Sequence, residues 1–446
     1  MEFGAAALRA VLEESVPAGA AGLVVALSGG ADSACLLTAL CAAAPVSLPW
    51  PVRAVHIDHG LQAAAGALRE SAAGLCRRLE VPLTVARVAV ETGPGVSLEA
   101  AARTARYRAF AHELQAGECL LTAHHAQDQA ETLLLQLLRG AGLKGLSAMP
   151  LCRRFAAGWH LRPLIDVTPR ALAAFRAAHG IDAADDPMNR DARFDRVYLR
   201  TRAWPALEER WPGAAASLAR TAHHLADAQQ LLDQTAAGAM RRLRDGEALS
   251  VPGLRALSMR EQVSTLRFWL HDAGVIPPST LRLAEALRQV MTADTDHLPA
   301  IVWGEHALRR YQARLFVTAA TLPALGASRD WRIAPGSRLP LGEGLGALRW
   351  VAQPGGLDAE RLPGVLCVRR RSGGETLKVA EHARTQSVQH LCQAMGVLPW
   401  MRDALPMLYA GDELIAIGDI WQDARWRVGR GAPGFGCVWE DAPALT

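Results

Sequence analysis

The chemistry of this chain is most concentrated in Ser28-Gly29-Gly30-Ala31-Asp32-Ser33, a run set between an apolar stretch and a helical pattern. Those residue types in that order suit an anion. Two glycines let the backbone turn tightly and come close to a ligand. The N-terminus of the following helix offers free N–H groups and partial positive charge, and Ser28 and Ser33 add hydroxyl donors. No G-K-[ST] follows, which excludes a Walker A loop. Asp32 is out of place among phosphates. Its carboxylate calls for a cation between, so it is expected to meet Mg²⁺ or a substrate amine. The plainer alternative is a Gly-rich turn capped by Ser and Asp; the strand before and the helix after weigh against it.

A second group of reactive types follows. His56-Ile57-Asp58-His59 ends one apolar run, and Thr122-Ala123-His124-His125-Ala126-Gln127-Asp128-Gln129-Ala130-Glu131 ends another. H-x-x-H at a strand end is a poor zinc clamp, and nothing requires the two histidine pairs to converge. No metal site built from protein clusters is expected. His56, Asp58, His59, His124 and His125 are read instead as strand-end caps that line a nucleotide pocket. Asp128 and Glu131 are three apart on a helical pattern, so both carboxylates face one way. They are either a surface pair or a pocket whose carboxylates hold a cationic amine or a metal. A nucleophilic amine must lose a proton before attack, so such a pocket needs an acceptor nearby.

These residues need a frame. Gly22–Leu27, Val52–Ile57, Leu83–Val90 and Cys119–Thr122 read as strands, and Ala34–Ala43, Ala67–Leu79, Ser97–Leu114 and Gln127–Arg139 as helices. That alternation predicts an α/β, doubly wound parallel sheet of Rossmann type, with ligands at the carboxyl ends of its strands. From about 217 to 293 the pattern turns helical, and from about 298 short β-like runs appear between Gly and Pro. The expected division is a catalytic domain over 1–214, a mainly helical domain over 215–330 and a small α+β domain over 331–446.

The 446 residues are 50% hydrophobic and 21% charged, which excludes a disordered chain. The net charge of +4 is unevenly spread. Residues 1–136 carry nine basic and thirteen acidic side chains, whereas 137–220 come to +6 and 301–384 again to +6. Two basic segments could follow a phosphate backbone, or could be solvated faces. Only two of the basic residues are lysines, Lys144 and Lys378. None of the eight cysteines forms a C-x-x-C pair, and no long uncharged apolar run appears. The expectation is a cytoplasmic protein with reduced thiols and no membrane partner.

The Ser28–Ser33 run resembles the S-G-G-x-D-S signature of the N-type ATP pyrophosphatases, the PP-loop superfamily. That likeness implies cleavage of ATP between its α and β phosphates. With Ser97-Leu98-Glu99, Arg103, Arg106-Tyr107, Arg139-Gly140-Ala141-Gly142-Leu143-Lys144, Leu161-Arg162-Pro163-Leu164, Asp186-Pro187-Met188-Asn189 and Arg196-x-x-x-Arg200, the chain resembles the bacterial tRNA(Ile)-lysidine synthases. Arg371-Ser372-Gly373-Gly374-Glu375 and Val397-Leu398-Pro399-Trp400-Met401-Arg402 continue the likeness near the end.

The resemblance implies ATP-dependent ligation of free L-lysine to C2 of the wobble cytidine in the CAU anticodon of isoleucine tRNA. An adenylated cytidine would be the intermediate, with AMP and pyrophosphate as products. It implies ATP on residues 28–33 and Mg²⁺ with ATP near Asp32. Asp32, Arg103, Arg106, Asp128 and Glu131 would form the catalytic and lysine site. Candidate RNA contacts are Arg139, Lys144, Arg162, Arg196, Arg200, Arg371, Lys378 and Arg402, and a homodimer is left open. The chain departs from the family pattern at Gln127, Gln62, Met188 and the segment Val388–Cys392. Two alternatives stand beside this reading: a tRNA thiolation enzyme on the same fold, and a non-catalytic tRNA-binding relative. Thiolation usually needs paired cysteines or an iron–sulfur cluster, and here Cys35 and Cys41 are simply six apart.

Overall fold

Four apolar runs too short for helices, and a two-stranded hairpin that the alternation did not reveal, assemble into a single sheet. In the computed structural model, residues 3–43, 48–58, 65–90, 98–182, 194–293 and 300–446 are described. The chain forms two compact units, Met1–Leu232 and Asp233–Thr446. His59, Gln62 and the segment Asp186–Asn189 with Met188 lie outside the described residues.

The first unit opens with α1 (Ala5–Ser15), β1 (Gly22–Ala26), α2 (Ala31–Ala43), β2 (Val52–Asp58), α3 (Ala65–Leu79) and β3 (Leu83–Arg87). It continues with α4 (Leu98–Glu113), β4 (Glu118–Leu121), α5 (Ala126–Leu138) and α6 (Leu143–Leu146). A hairpin of β5 (Cys152–Phe155) and β6 (Gly158–Leu161), then α7 (Pro169–Ala178), follow. The last helical stretch is α8 (Asp195–Tyr198), a π turn (Leu199–Ala203) and α9 (Trp204–Arg210).

The sheet order is β3-β2-β1-β4-β6-β5, parallel except for the β5–β6 hairpin. Successive side chains of a strand point to opposite faces. Leu23, Val25 and Leu27 accordingly enter a core with α1, α2 and α7, while Val24 packs with Val55, Ile57, Leu120 and the α4 residues Phe110 and Leu114. Both faces are covered, as a parallel sheet requires. α2 is apolar nearly all round and buries Leu36, Leu37 and Leu40 completely. Each contributes roughly 1.5–3 kcal/mol, which anchors the loop at its N-terminus. Near the amino ends of the strands, Arg53 grips Glu118 with a two-pronged contact (2.8 and 2.6 Å), tying β2 to β4.

Strand order reverses at β1. β2 lies on one side of it and β4 on the other, with Val25 paired to both Ala54 and Leu121. Such a switch point opens a crevice beyond the carboxyl ends. The Ser28–Ser33 loop leaves β1 there, and Thr122–His125 leaves β4 beside it.

α10 (Ala214–Leu243) runs across the boundary between the units. In the second unit, α11 (Val251–Arg255), α12 (Met259–Asp272) and α13 (Thr280–Thr292) pack with a five-stranded antiparallel sheet built from segments of 244–319. Part of that sheet falls in the stretch read as helical, because Gly246 (φ +62°) turns the chain into a hairpin after α10. A separate core over 325–439 holds further antiparallel sheets and α14 (Val388–Met395). α14 carries the segment Val388–Cys392, with Gln389 and His390 in its first turn.

Candidate active site

The loop is built from its own atoms. The Ser28 and Gly30 backbone N–H groups donate to Ser33 Oγ and Ser28 Oγ, both at 3.2 Å. Ser33 Oγ donates to the Gly30 carbonyl (3.0 Å) and lies 3.0 Å from Ser28 Oγ. Gly29 has φ +85°, and a Cβ on it would sit 2.2 Å from the Leu68 carbonyl oxygen of α3. Glycine is required here on both counts. His56 is buried and donates Nδ1–H to the Leu27 carbonyl at 2.8 Å. Burial holds it below the usual histidine range. It braces the loop's base. Asp58, also expected in the pocket, faces Arg69 at 3.6 Å and Arg87 at 4.0 Å.

The α5 residues meet the loop through His125. Its Nε2 is 3.7 Å from Asp32 Oδ2 and 3.5 Å from Asp128 Oδ2. The His125 backbone N–H also donates to Asp128 Oδ2 (3.1 Å), capping α5. Its Nδ1 is buried without a partner. Asp32 and Asp128 are pushed in opposite directions. Burial raises Asp32, the Asp128 carboxylate adds to this, and His125 opposes it. Burial acts the same way on Asp128, but His125, His124, Arg200 and Arg196 outweigh it and hold it below the ordinary aspartate value. Such divergence between neighbouring carboxylates marks sites with distinct acid–base duties.

Glu131 has no exposed surface and is fully engaged. Arg200 donates to both its oxygens at 2.8 Å, Gln127 donates at 3.1 Å, and Arg196 Nε stands 3.4 Å away. Arg200 also donates to Asp128 Oδ1 (2.9 Å), leaving Oδ2 toward His125. Arg196 donates to Thr132 Oγ1 at 2.6 Å. Arg196 and Arg200 were singled out as RNA contacts; their guanidiniums instead hold the acidic cluster, because a buried carboxylate needs a paired cation. Arg200 lies in the π turn, a device common at functional sites. The four-residue spacing of the two arginines, matched to the three-residue spacing of the acids, was the available signal.

His124 and Arg162, both named from the sequence, belong to one line of side chains whose connection through Thr122 and His160 the sequence did not show. His124 Nδ1 is 2.8 Å from Thr122 Oγ1, which is 2.9 Å from His160 Nε2. Arg162 Nη2 is 3.2 Å from His160 Nδ1. Burial drives His124 down to about 3 and His160 to about 2. Arg162, another expected RNA contact, is buried and donates Nη1–H to the Pro150 carbonyl at 2.6 Å. It is therefore part of the frame. Arg103 is exposed on α4, stacks 5.0 Å over the Tyr107 ring, and lowers both His124 and His160. Arg106 lies 5.9 Å from the same ring.

The remaining basic candidates are Arg139, Lys144, Arg371, Lys378 and Arg402. Arg139 is exposed and pairs with Asp195 at 3.2 Å, and Lys144 is exposed on α6. In the second unit, Arg371 Nε is 3.5 Å from Glu375, whose other oxygen accepts the Gly373 N–H at 2.9 Å. Arg402 donates to the Val397 carbonyl at 3.4 Å, and the Lys378 backbone N–H donates to Asp423 at 3.1 Å. No group of three or more metal-binding side chains occurs among the described residues, and no described helix is long and apolar enough to cross a membrane. Cys35 and Cys119 are buried, and burial lifts both thiols to about 11. They are poor nucleophiles for sulfur chemistry.

Family models match the chain in three places. A PP-loop domain matches residues 5–207, a TilS substrate binding domain 249–316, and a TilS substrate C-terminal domain 366–439. The tRNA(Ile)-lysidine synthase of Alkalilimnicola ehrlichii is 39% identical over 427 residues, covering 95% of this chain and 94% of that protein. The Pseudomonas aeruginosa enzyme of the same name is 40% identical over 420 residues, 90% of each chain. That of Methylococcus capsulatus is 38% identical over 403 residues, covering 88% and 90%.

Proposed function

The chain belongs to the tRNA(Ile)-lysidine synthase family and is a tRNA-modifying ligase with an ATP-binding PP-loop domain; we propose that its crevice activates the wobble cytidine of isoleucine tRNA with ATP and joins free L-lysine to C2. The observation that carries this reading is the meeting of Asp32, His125 and Asp128 at the sheet's switch point. It sets a phosphate cradle beside an ionised carboxylate.

In the first step the cytidine C2 oxygen attacks the α-phosphate and pyrophosphate leaves. The loop N–H groups and the α2 N-terminus hold the phosphates. Arg103 supplies positive charge where the transferring phosphate gains negative charge. In the second step the lysine ε-amine attacks C2 and AMP leaves. Asp128 Oδ2 receives the ammonium and takes the proton it loses before attack, while Glu131 keeps Arg196 and Arg200 in place around it. Asp32 fits Mg²⁺: it is a hard oxygen donor, about half exposed (53%), and no arginine of the described residues is in ion-pair contact with it. A bound Mg²⁺ would neutralise charge on the triphosphate.

The test is incorporation of radiolabelled lysine into a minor isoleucine tRNA with ATP present. Asp128→Ala is expected to lose incorporation. A fully active Asp128→Ala enzyme would remove that residue from the reading, and turnover that depends on a sulfur donor would overturn the reaction.

A further inference from the structure

We infer that His124 serves this reaction as a fixed hydrogen-bond donor through Nε2, and is barred from acting as its base, because Arg162, His160 and Thr122 order the protons leading to it. The inference rests on the ligase reading for its chemistry and on hydrogen-bond polarity for its direction.

The order starts at Arg162. A guanidinium donates and cannot accept. Its Nη2–H therefore points at His160 Nδ1, 3.2 Å away, and that nitrogen must be the bare one. His160 then carries its proton on Nε2 and donates it to Thr122 Oγ1 at 2.9 Å. Thr122 is buried, so its own hydroxyl proton needs an acceptor. Among the described residues its one other partner is His124 Nδ1 at 2.8 Å. That nitrogen is accordingly bare, and the single proton of neutral His124 sits on Nε2. Burial and the positive charges of Arg162, Arg196 and Arg103 favour the neutral ring, against Asp128 alone.

The consequence divides two adjacent histidines. His125 stands between two carboxylates, with Nε2 within 3.7 Å of both. His124 offers one N–H and no lone pair beyond the one Thr122 occupies. It can bind an oxygen that gains charge, on the phosphate or on cytidine C2, but cannot take a proton from the lysine ammonium. Thr122, His160 and Arg162 are positioning residues: they act through His124.

The experiment uses the full chain with ¹⁵N-labelled histidine and reads the protonation of each ring nitrogen by long-range ¹⁵N–¹H correlation, with His124 assigned by loss of its signals in His124→Gln. The expected spectrum has His124 protonated on Nε2 alone and His160 likewise. A proton on His124 Nδ1 would overturn the inference. In parallel, Thr122→Val is expected to lose about 10- to 100-fold in kcat for lysine incorporation, the scale of an orienting partner, with KM for ATP and lysine unchanged. Thr122→Ser restores it. His160→Gln keeps an acceptor for Arg162 and a donor for Thr122 and stays active, whereas His160→Phe does not. Full kcat in folded Thr122→Val would equally overturn the inference. Failure of the wild-type chain to make lysidine would sink the ligase reading, while the ring-nitrogen spectrum would still decide the proton order.

Discussion

The Ser28–Ser33 loop and the Asp128–Glu131 cluster are two ways of holding charge in one crevice. The loop is local. Its internal hydrogen bonds span at most five residues, with one longer tie from Ser71 Oγ to the Gly29 carbonyl (3.2 Å), and its positive potential comes from backbone N–H groups that never lose their charge. The cluster is remote. Its ion pairs join residues 65 to 72 apart and depend on a second helix docking on α5. A local cradle can be read as a motif. A remote one cannot, because the same acids on an unpartnered helix would be a surface pair.

The largest expected effect strikes the loop. Gly29→Ala forces a Cβ to 2.2 Å from a backbone oxygen at a positive φ, so loop or α3 must move. Misplacement by about 1 Å costs on the order of 100-fold in rate. ATP-to-pyrophosphate turnover with tRNA should fall at least that far, and near-normal turnover would show that the loop is less rigid than its contacts suggest.

Next comes the cluster. Glu131→Gln removes the charge that faces Arg200 and Arg196. Breaking a fully buried pair costs about 3–5 kcal/mol. Arg200 keeps 36% of its surface, so about 2–3 kcal/mol is expected here. Urea unfolding measures it, and a loss below about 0.5 kcal/mol would mean water already screens the pair.

A smaller effect separates the two carboxylates. Asp32 has a folded-state value above the ordinary 3.8, so its ionisation opposes folding. The cost appears as pH rises above 3.8 and is complete above the raised value. Asp32→Asn should match the wild type in stability at low pH. At neutral pH it should be more stable, by at most about 1 kcal/mol given the half-exposed side chain, while losing ATP turnover. Equal stability at both pH values would deny that the crevice strains Asp32.

The smallest effect lies outside both regions. Lys144→Ala removes an exposed charge, so tRNA affinity should weaken modestly and the salt slope should fall by about one. An unchanged slope would mean that Lys144 touches no phosphate.

Much of the first unit was legible because its signals are short-range. Gly22–Ala26, Val52–Asp58 and Glu118–Leu121 are strands within a residue or two of expectation. Their apolar runs admit no amphipathic helix, and turn or capping residues bound them. The β5–β6 hairpin was missed because Cys152-Arg153-Arg154-Phe155 carries no apolar run. It is a strand because β6 continues the sheet beside β4. The internal partners of Arg162, Arg196 and Arg200 could not be read for a related reason. Arginine reads alike whether it faces a phosphate or a buried acid, and only the partner distinguishes them.

By itself, then, the sequence determined what is encoded within one turn or one strand: the phosphate loop, the α/β order, and the placing of Asp128 and Glu131 on one helix face. Only the tertiary structure decided which of these groups are free to act. It turned Glu131 into an anchor, His56 into a brace and Arg162 into the head of a proton-ordering chain. The physical reason is that a side chain's charge and hydrogen-bond polarity depend on its neighbours across the crevice, and those neighbours are set by packing over long sequence distances.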